Sequence, residues 1–482
     1  MAYLAVDLGT TGCRSILFDE KLNQLAATYE EYGLITPKEG WTEQDAELWW
    51  TLTVKTAKEA IAQSGLSPEE IRGISVSSQG ITVVPVDEKL HPLCNALSWL
   101  DVRAQEQTDR IAREVGKTEM FTHTGKPVNA CYTLPKMLWL QEEAADVWQK
   151  AWKFLMPMDY LIGKLTGNCV TDHSMASGTL FYDIKNCCWS KEILKKYHIP
   201  EEKLPGLAWS GESAGCVLPE VAKELGVSES CVVAVGAQDQ KCAAYGAGLC
   251  DGTMTISLGT AGAITKRWTQ PRTEDVTNVG WCGYAEPGTW VTEGVINTAG
   301  TCLRWVRDLL YKGESYDTMN AEAKAAIDSG SSLLFYPYMA GPSAPSFYPD
   351  SEGSFYGVNL ATTRGHFAAA VMEGVAFQVR IMLEAMDAIG NVEKLVLFGG
   401  ASKSPLWCQI IADVTGMEIL VPSTSEAAGA GAAMLAAKAA GRELEPLAYP
   451  YKYRPTDAGT MYEEKYRRYR IIEKKLWQEG TK

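Results

Sequence analysis

Asp7-Leu8-Gly9-Thr10-Thr11-Gly12, near the start of the chain, is echoed 250 residues later by Ser257-Leu258-Gly259-Thr260-Ala261-Gly262. Each stretch follows an apolar run, residues 4–6 or 254–256, and precedes another, residues 15–18 or 263–265. The repeated unit is strand–loop–strand. Gly9, Gly12, Gly259 and Gly262 let the backbone turn tightly with N–H groups outward, and Thr10, Thr11 and Thr260 add hydroxyl donors. Successive amides with hydroxyls make a concave anion site suited to the phosphates of a nucleotide. Taken singly, either loop also reads as a Gly-rich hairpin turn; the recurrence and Asp7 favour the phosphate reading. Duplication sets a boundary near residue 245. Two lobes, residues 1–245 and 246–482, would then face each other across a cleft, each offering one loop.

Away from these loops, short β-branched runs alternate with longer amphipathic stretches, the pattern of an α/β protein. Strands are expected at residues 3–6, 14–18, 71–77, 81–86, 232–235, 253–258 and 395–398, and helices at 45–63, 102–115, 134–143 and 366–389. Asp45 is placed to cap the first helix, and Gly65 lies just past its end. Gly429-Ala430-Gly431-Ala432-Ala433 reads as a closely packed helix without chemistry. Of the 482 residues 46% are hydrophobic and 22% charged, ordinary globular values with material for two or three domains. A formal net charge of −14 repels phosphate backbones and anionic lipid, which disfavours nucleic-acid and membrane partners. It does not exclude a nucleotide held by local amides.

The 13 cysteines contain no C-x-x-C pair and scatter through apolar segments, as core thiols of a reducing cytoplasm do. His91, His123, His173, His198 and His366 lie far apart, so no zinc site is expected. The N-terminus enters an apolar strand without a charged leader, and no apolar run reaches about 18 residues, so neither a signal peptide nor a membrane span is expected. Two other nucleotide motifs fail. Gly116-Lys117-Thr118 ends like a P-loop, but Ile111 stands where the first glycine is required. Gly246-Ala247-Gly248 continues to Asp251 instead of a third glycine, so the dinucleotide fingerprint is absent.

Residues 7–14, 236–248, 257–262, 353–373 and 399–407 resemble, in order and spacing, the successive landmarks of the FGGY carbohydrate kinases. The most specific stretch is Gly353-Ser354-Phe355-Tyr356-Gly357-Val358 with His366-Phe367 and Glu373. A second family pattern, around Lys136-Met137-Leu138-Trp139-Leu140-Gln141-Glu142-Glu143, fits except that Cys131 opens it. The resemblance spans the whole chain. It implies an actin-like (ribonuclease H-like) α/β ATPase fold that uses ATP and Mg2+ to phosphorylate a small sugar or polyol. By the same resemblance Asp239, in Gly236-Ala237-Gln238-Asp239-Gln240, matches the catalytic base and stands with Asp7 on the metal side. A carboxylate there can take the proton of a substrate hydroxyl. Read without the family, Asp239 is a helix N-cap, and the two readings are compatible. Asp7 matches the acidic residue that holds Mg2+; otherwise it is an Asx-turn aspartate. Gly9, Thr10, Thr11 and Arg14 match the first phosphate loop, and Gly259 and Thr260 the second. Gly300 and Arg304 fall where glycerol kinases contact the nucleotide. Gly399, Gly400 and Ala401 resemble the adenosine loop.

The acceptor is harder to read. Xylulokinases carry a Met-His pair where this chain has Ser78 and Gln79. Glycerol kinases carry Arg-Glu at the positions of Gln79 and Gly80, and a tyrosine where Cys131 stands. Gln240 matches glycerol kinases, whereas Trp99-Leu100-Asp101-Val102-Arg103 and Met158-Asp159-Tyr160-Leu161 are xylulokinase-like. Gly341-Pro342-Ser343-Ala344-Pro345 departs from the Gly-Glu-Arg-Thr-Pro of many pentulose kinases. Ser78, Gln79, Asp101, Arg103, Asp239 and Gln240 make up the expected acceptor pocket, suited to an uncharged polyhydroxylated molecule. A pentulose such as D-xylulose comes first; glycerol, a tetritol or another ketose are the alternatives. An actin-like switch ATPase acting on a protein partner would share the loops but need no sugar pocket. The FGGY-specific stretches disfavour it, and the presence of Asp7 and Asp239 gives no reason to prefer a silent sugar sensor. Relatives are frequently dimeric, so a homodimer is the assembly the resemblance implies.

Overall fold

Both repeated stretches fold as antiparallel hairpins. The first joins Ala2–Leu8 to Gly12–Asp19 with Leu8 opposite Cys13; the second joins Thr253–Leu258 to Gly262–Trp268 with Leu258 opposite Gly262. The computed structural model in which they are seen describes residues 1–274, 279–341, 344–345, 348, 350–386 and 391–477. Residues 342 and 343 of the departing segment therefore lie outside the described residues.

The repeat extends from hairpins to whole sheets. In the first lobe the strand order is Ser213–Cys216, Val232–Gln238, Ile71–Ser78, Ala2–Leu8, Gly12–Asp19 and Gln24–Glu31. In the second it is Gly280–Gly283, Trp290–Ile296, Gly262–Trp268, Thr253–Leu258, Lys394–Phe398, Glu418–Val421 and Tyr451–Tyr453. Each hairpin has a parallel strand beside it, a second parallel strand beyond, and an antiparallel strand at that edge. This is the actin-like α/β arrangement. The central strands are covered on both faces, which is why they read as continuous apolar runs; Tyr3, Leu4, Ala5 and Val6 are all buried.

Helix ends follow local chemistry. Asp45 caps Ala46–Ser64 by accepting from the N–H groups of Glu47 and Leu48, and Gly65 ends it at φ 68°. The expected helix at 102–115 starts later, as Gln105–Glu114, because Asp101 turns the backbone by accepting from Arg103 N at 2.9 Å. The expected strand at 81–86 shrinks to Val84–Val86, since Ile81 takes a left-handed φ of 58°. The helix expected at 366–389 is Arg364–Ala385, and residues 387–390 lie outside the described residues. It is long and apolar enough to cross a membrane, yet its most apolar window is 83% buried within the protein, as for a core helix.

Two helices rich in small residues join the lobes. Asp239–Gly246 follows the strand Val232–Gln238, and Ala427–Ala439 follows Glu418–Val421, so they are equivalent parts of the repeat. Ala427–Ala439 leaves its own half and seats on the first sheet, where Ala430 and Ala433 share a core with Tyr3, Ile16 and Phe18. The two helices meet backbone to backbone. A Cβ on Gly246 would lie 2.2 Å from the Ala427 carbonyl oxygen, and one on Gly431 would lie 2.0 Å from that of Cys242. Gly431→Ala should therefore cost about 1–3 kcal/mol of stability by overpacking, read as a lowered denaturant midpoint. Gly33→Ala, where an added Cβ meets nothing within 4 Å, should leave the midpoint unchanged.

Candidate active site in the interlobe cleft

Strand register brings two carboxylates together. Asp7 lies opposite Ser77, and Ser77 opposite Ala237, two residues before Asp239. The Ser77 hydroxyl donates to Asp7 Oδ1 at 3.0 Å. Asp239 occupies the first turn of its helix and is not the cap. Gln238 is the cap, its side-chain oxygen accepting from Gln240 N at 3.2 Å. Gln238 Nε2 and Gln240 N both donate to Asp239 Oδ1, the latter at 2.6 Å. Burial outweighs the Ser77 hydrogen bond and lifts the Asp7 carboxyl to about 6. Burial and then the like charge of Asp7 lift Asp239 to about 7, against the pull of Lys241. A carboxylate poised near neutrality is suited to taking a proton from a hydroxyl.

The first glycine loop is tied down through its carbonyls. Gly9 O accepts from the Tyr32 hydroxyl, Thr10 O from Gln44 Nε2 at 2.7 Å, and Thr11 O from Tyr32 N at 3.0 Å. Thr10 Oγ1 accepts from Trp99 Nε1 at 3.0 Å. Arg14 lies opposite Asp7 and, among the described residues, makes no bond to the loop itself. It pairs with Glu426 at 2.5 Å and lies over the Tyr29 ring, tying the first sheet to the start of Ala427–Ala439.

Beside the loop, Gln79 is buried; its Nε2 donates to Gln44 Oε1 at 3.0 Å, while its own Oε1 is buried without a partner. Ser78 is buried, with its hydroxyl bonded to Gln79 O at 3.0 Å. Gln240 stays half-buried at the helix start. Asp101 and Arg103 do not join this group. The Arg103 side chain is only 3% exposed; it bonds Asp101 and Glu43 at 2.7 Å each, and its guanidinium lies over the rings of Trp41 and Trp139. From the same segment it is Trp99, 38% exposed, that reaches the loop. The signal for Trp99 in the sequence is a large aromatic between Ser98 and Leu100, just before Asp101.

Opposite, three second-lobe loops nest around a cavity of about 460 Å3 lined by Gly259, Thr260, Gly300, Arg304, Gly400 and Ala401, among others. The nesting demands glycine. A Cβ on Gly300 would lie 2.4 Å from Gly259 O, and Gly399, at φ 88°, would place one 2.8 Å from Leu258 O. Gly399 thus backs the cavity that its neighbours line. Tyr316, Asp317, Asn320, Lys403 and Ser404 complete the wall. Lys403 and Ser404 follow the glycine loop directly and were within reach of sequence reading; the others sit on the helix Tyr316–Asp328, which no motif marks. The cavity has the size of a small-ligand site. A wider hollow of about 890 Å3, walled by residues such as His123, Ser190 and Glu201, belongs to the first lobe and includes none of the expected site residues.

Comparison with known proteins agrees with this arrangement. The model of the FGGY family of carbohydrate kinases, N-terminal domain, matches residues 2–246, and that of the C-terminal domain matches residues 254–440. The chain belongs to the FGGY family of carbohydrate kinases. It is a sugar kinase, moving the γ-phosphoryl of ATP to an alcohol group of a small carbohydrate. Among its relatives, this kinase is 33% identical over 444 residues to a xylulose kinase of Lactococcus lactis subsp. lactis (strain IL1403), covering 90% of this chain and 87% of that one. It is 29% identical over 455 residues to a gluconokinase of Bacillus subtilis (strain 168), covering 91% and 88%. The crystal structure of a xyloylose kinase from Brucella ovis superposes with a TM-score of 0.88 at 30% identity, covering 99% of both chains.

The Arg103 cluster yields a test of structure against acceptor contact. Arg103→Met leaves the buried Asp101 carboxylate uncompensated and should cost about 3–5 kcal/mol of stability. The loss is read by denaturant unfolding, and the KM for the acceptor should stay unchanged in the enzyme that remains folded.

Proposed function

We propose that this kinase phosphorylates a pentulose, D-xylulose foremost, on a terminal hydroxyl, with Asp239 as the base. One observation carries the reading: Asp7 and Asp239 stand at the ends of the two strands that flank Ile71–Ser78 in one lobe, while a nucleoside-sized cavity opens beside the glycine loop of the other. The xylulose kinase relatives favour the pentulose among acceptors.

In this reading the cavity takes the adenosine, and the amides of Gly259 and Thr260 and of the Gly9–Thr11 turn receive the phosphates. Among the described residues no group of three or more His, Cys, Asp or Glu side chains is arranged to hold a metal by itself. Two isolated carboxylates facing bound phosphates nevertheless fit Mg2+, which keeps most of its water and takes one or two protein oxygens. Asp7, with Asp239 beside it, would hold the cation, and bound Mg2+ supplies charge neutralisation for the transferred phosphoryl. Asp239 holds its Oδ1 against Gln238 and Gln240, and among the described residues Oδ2 has no hydrogen-bond partner. Oδ2 is the atom that receives the proton of the attacking hydroxyl. Gln79 Oε1, buried and unpartnered, accepts from another hydroxyl of the sugar. Closure of the lobes excludes water that would otherwise take the phosphoryl.

Asp239→Asn should lower kcat for xylulose by about 10²–10⁴-fold while leaving ATP affinity, measured by calorimetry, within about threefold of wild type (under 1 kcal/mol). Near-normal turnover in that variant would refute the assignment. The pH profile has a stated sign as well. A base lifted to about 7 is lost to protonation as pH falls, so kcat/KM should decline on the acid side of neutrality and level off above it.

A further inference from the structure

Residues just before Cys131 cross to the second lobe. Trp281 N donates to Gly125 O at 2.8 Å, and Lys126 Nζ donates to Cys282 Sγ at 2.8 Å. Lys126 is 8% exposed, and among the described residues Cys282 is the one hydrogen-bond partner of its ammonium. Burial works against that charge, but Cys282 and Glu293 favour it and hold the group protonated. Nearby, Lys241 Nζ bonds Glu293 Oε2 at 2.6 Å. Glu293 thus bonds Lys241 directly, whereas among the described residues the one atom that Lys126 Nζ bonds is the sulfur of Cys282. Lys241 and Glu293 act electrostatically on Asp239 as well as on Lys126 and Tyr132. The polar group thus starts in the first turn of the Asp239 helix and extends to Lys126. The nucleotide cavity contains none of these residues.

A buried ammonium with two unpartnered N–H donors calls for oxygen acceptors. A hydroxyl supplies lone pairs but brings a donor of its own that must be satisfied. A carbonyl or carboxylate oxygen brings lone pairs alone. We infer that Lys126 is a specificity-determining residue that binds the head of the acceptor, the end away from the phosphorylated hydroxyl, through a carbonyl-type oxygen. This rests on the sugar-kinase reading above and deepens it. The oxygen is the carbonyl of a ketose or the carboxylate of an aldonate; the two share one chemistry at Lys126.

The test compares kcat/KM for xylulose, xylonate and xylitol, which lacks the carbonyl-type oxygen, in wild type and in Lys126→Met. Wild type should prefer xylulose or xylonate to xylitol by about tenfold or more, and Lys126→Met should shrink that preference to about threefold or less. The ratio does not depend on how much of the variant is folded, so a destabilised variant still reports. A preference for xylonate that vanishes in the variant supports Lys126 and moves the acceptor from pentulose to sugar acid, overturning the pentulose proposal alone. A wild-type preference that survives unchanged in Lys126→Met overturns the inference and leaves the proposed function standing. Equal wild-type use of xylitol overturns the inference as well, and turnover confined to glycerol and tetritols overturns it together with the pentulose proposal.

Discussion

Everything at the cleft depends on one contact without side chains, where the helices Asp239–Gly246 and Ala427–Ala439 pass within backbone distance at Gly246 and Gly431. Larger residues would hold the helices apart. The contact lets a helix from the second half seat on the first sheet, so the lobes share a core instead of hanging from a linker. It fixes the Asp239 helix between the sheets, with its first residue beside Asp7 on the strand Ala2–Leu8. The Arg14–Glu426 pair reinforces the same junction. A charge expected at the phosphates thus secures the frame that presents them with their loops.

The electrostatics of the site follow from that frame. Two carboxylates are buried near each other; Lys241, itself held by Glu293, partly answers Asp239, and Arg14 partly answers Asp7. Burial raises both acids toward neutrality, and like charge adds to it, from Asp7 at Asp239 and from Glu426 at Asp7. This suits one of them to act as a base near pH 7 and leaves room for positive charge brought by a bound cation. The second ammonium, Lys126, stands farther along the same polar group, bonded to the sulfur of Cys282.

The frame was legible in the sequence because it is written locally. Gly9–Gly12 and Gly259–Gly262 mark their hairpins through turn chemistry, the central strands through continuous apolar runs, and Ala46–Ser64 through Asp45 and Gly65. The second-lobe site was legible for the same reason, since its glycines are required where loops nest. What stayed hidden were pairings across distance. Nothing near Arg14 announces Glu426. Nothing in the segment from Trp99 to Arg103 says that Trp41 and Trp139 bury the arginine while Trp99 reaches the loop. Asp before a helix reads as a cap, yet Gln238 took that place because the strand runs on to it. Within the most family-specific stretch, Glu373 lies buried in the core helix, paired with Lys465 at 2.6 Å.

The central claim is that the cleft transfers phosphoryl to a sugar bound between the lobes. The most direct measurement is ADP release from MgATP with and without a panel of pentuloses, hexuloses, glycerol and tetritols. A low rate without sugar, rising strongly with one member of the panel, is the expected result. A steady rate indifferent to every sugar would contradict it and mark the cleft as that of a nucleotide switch.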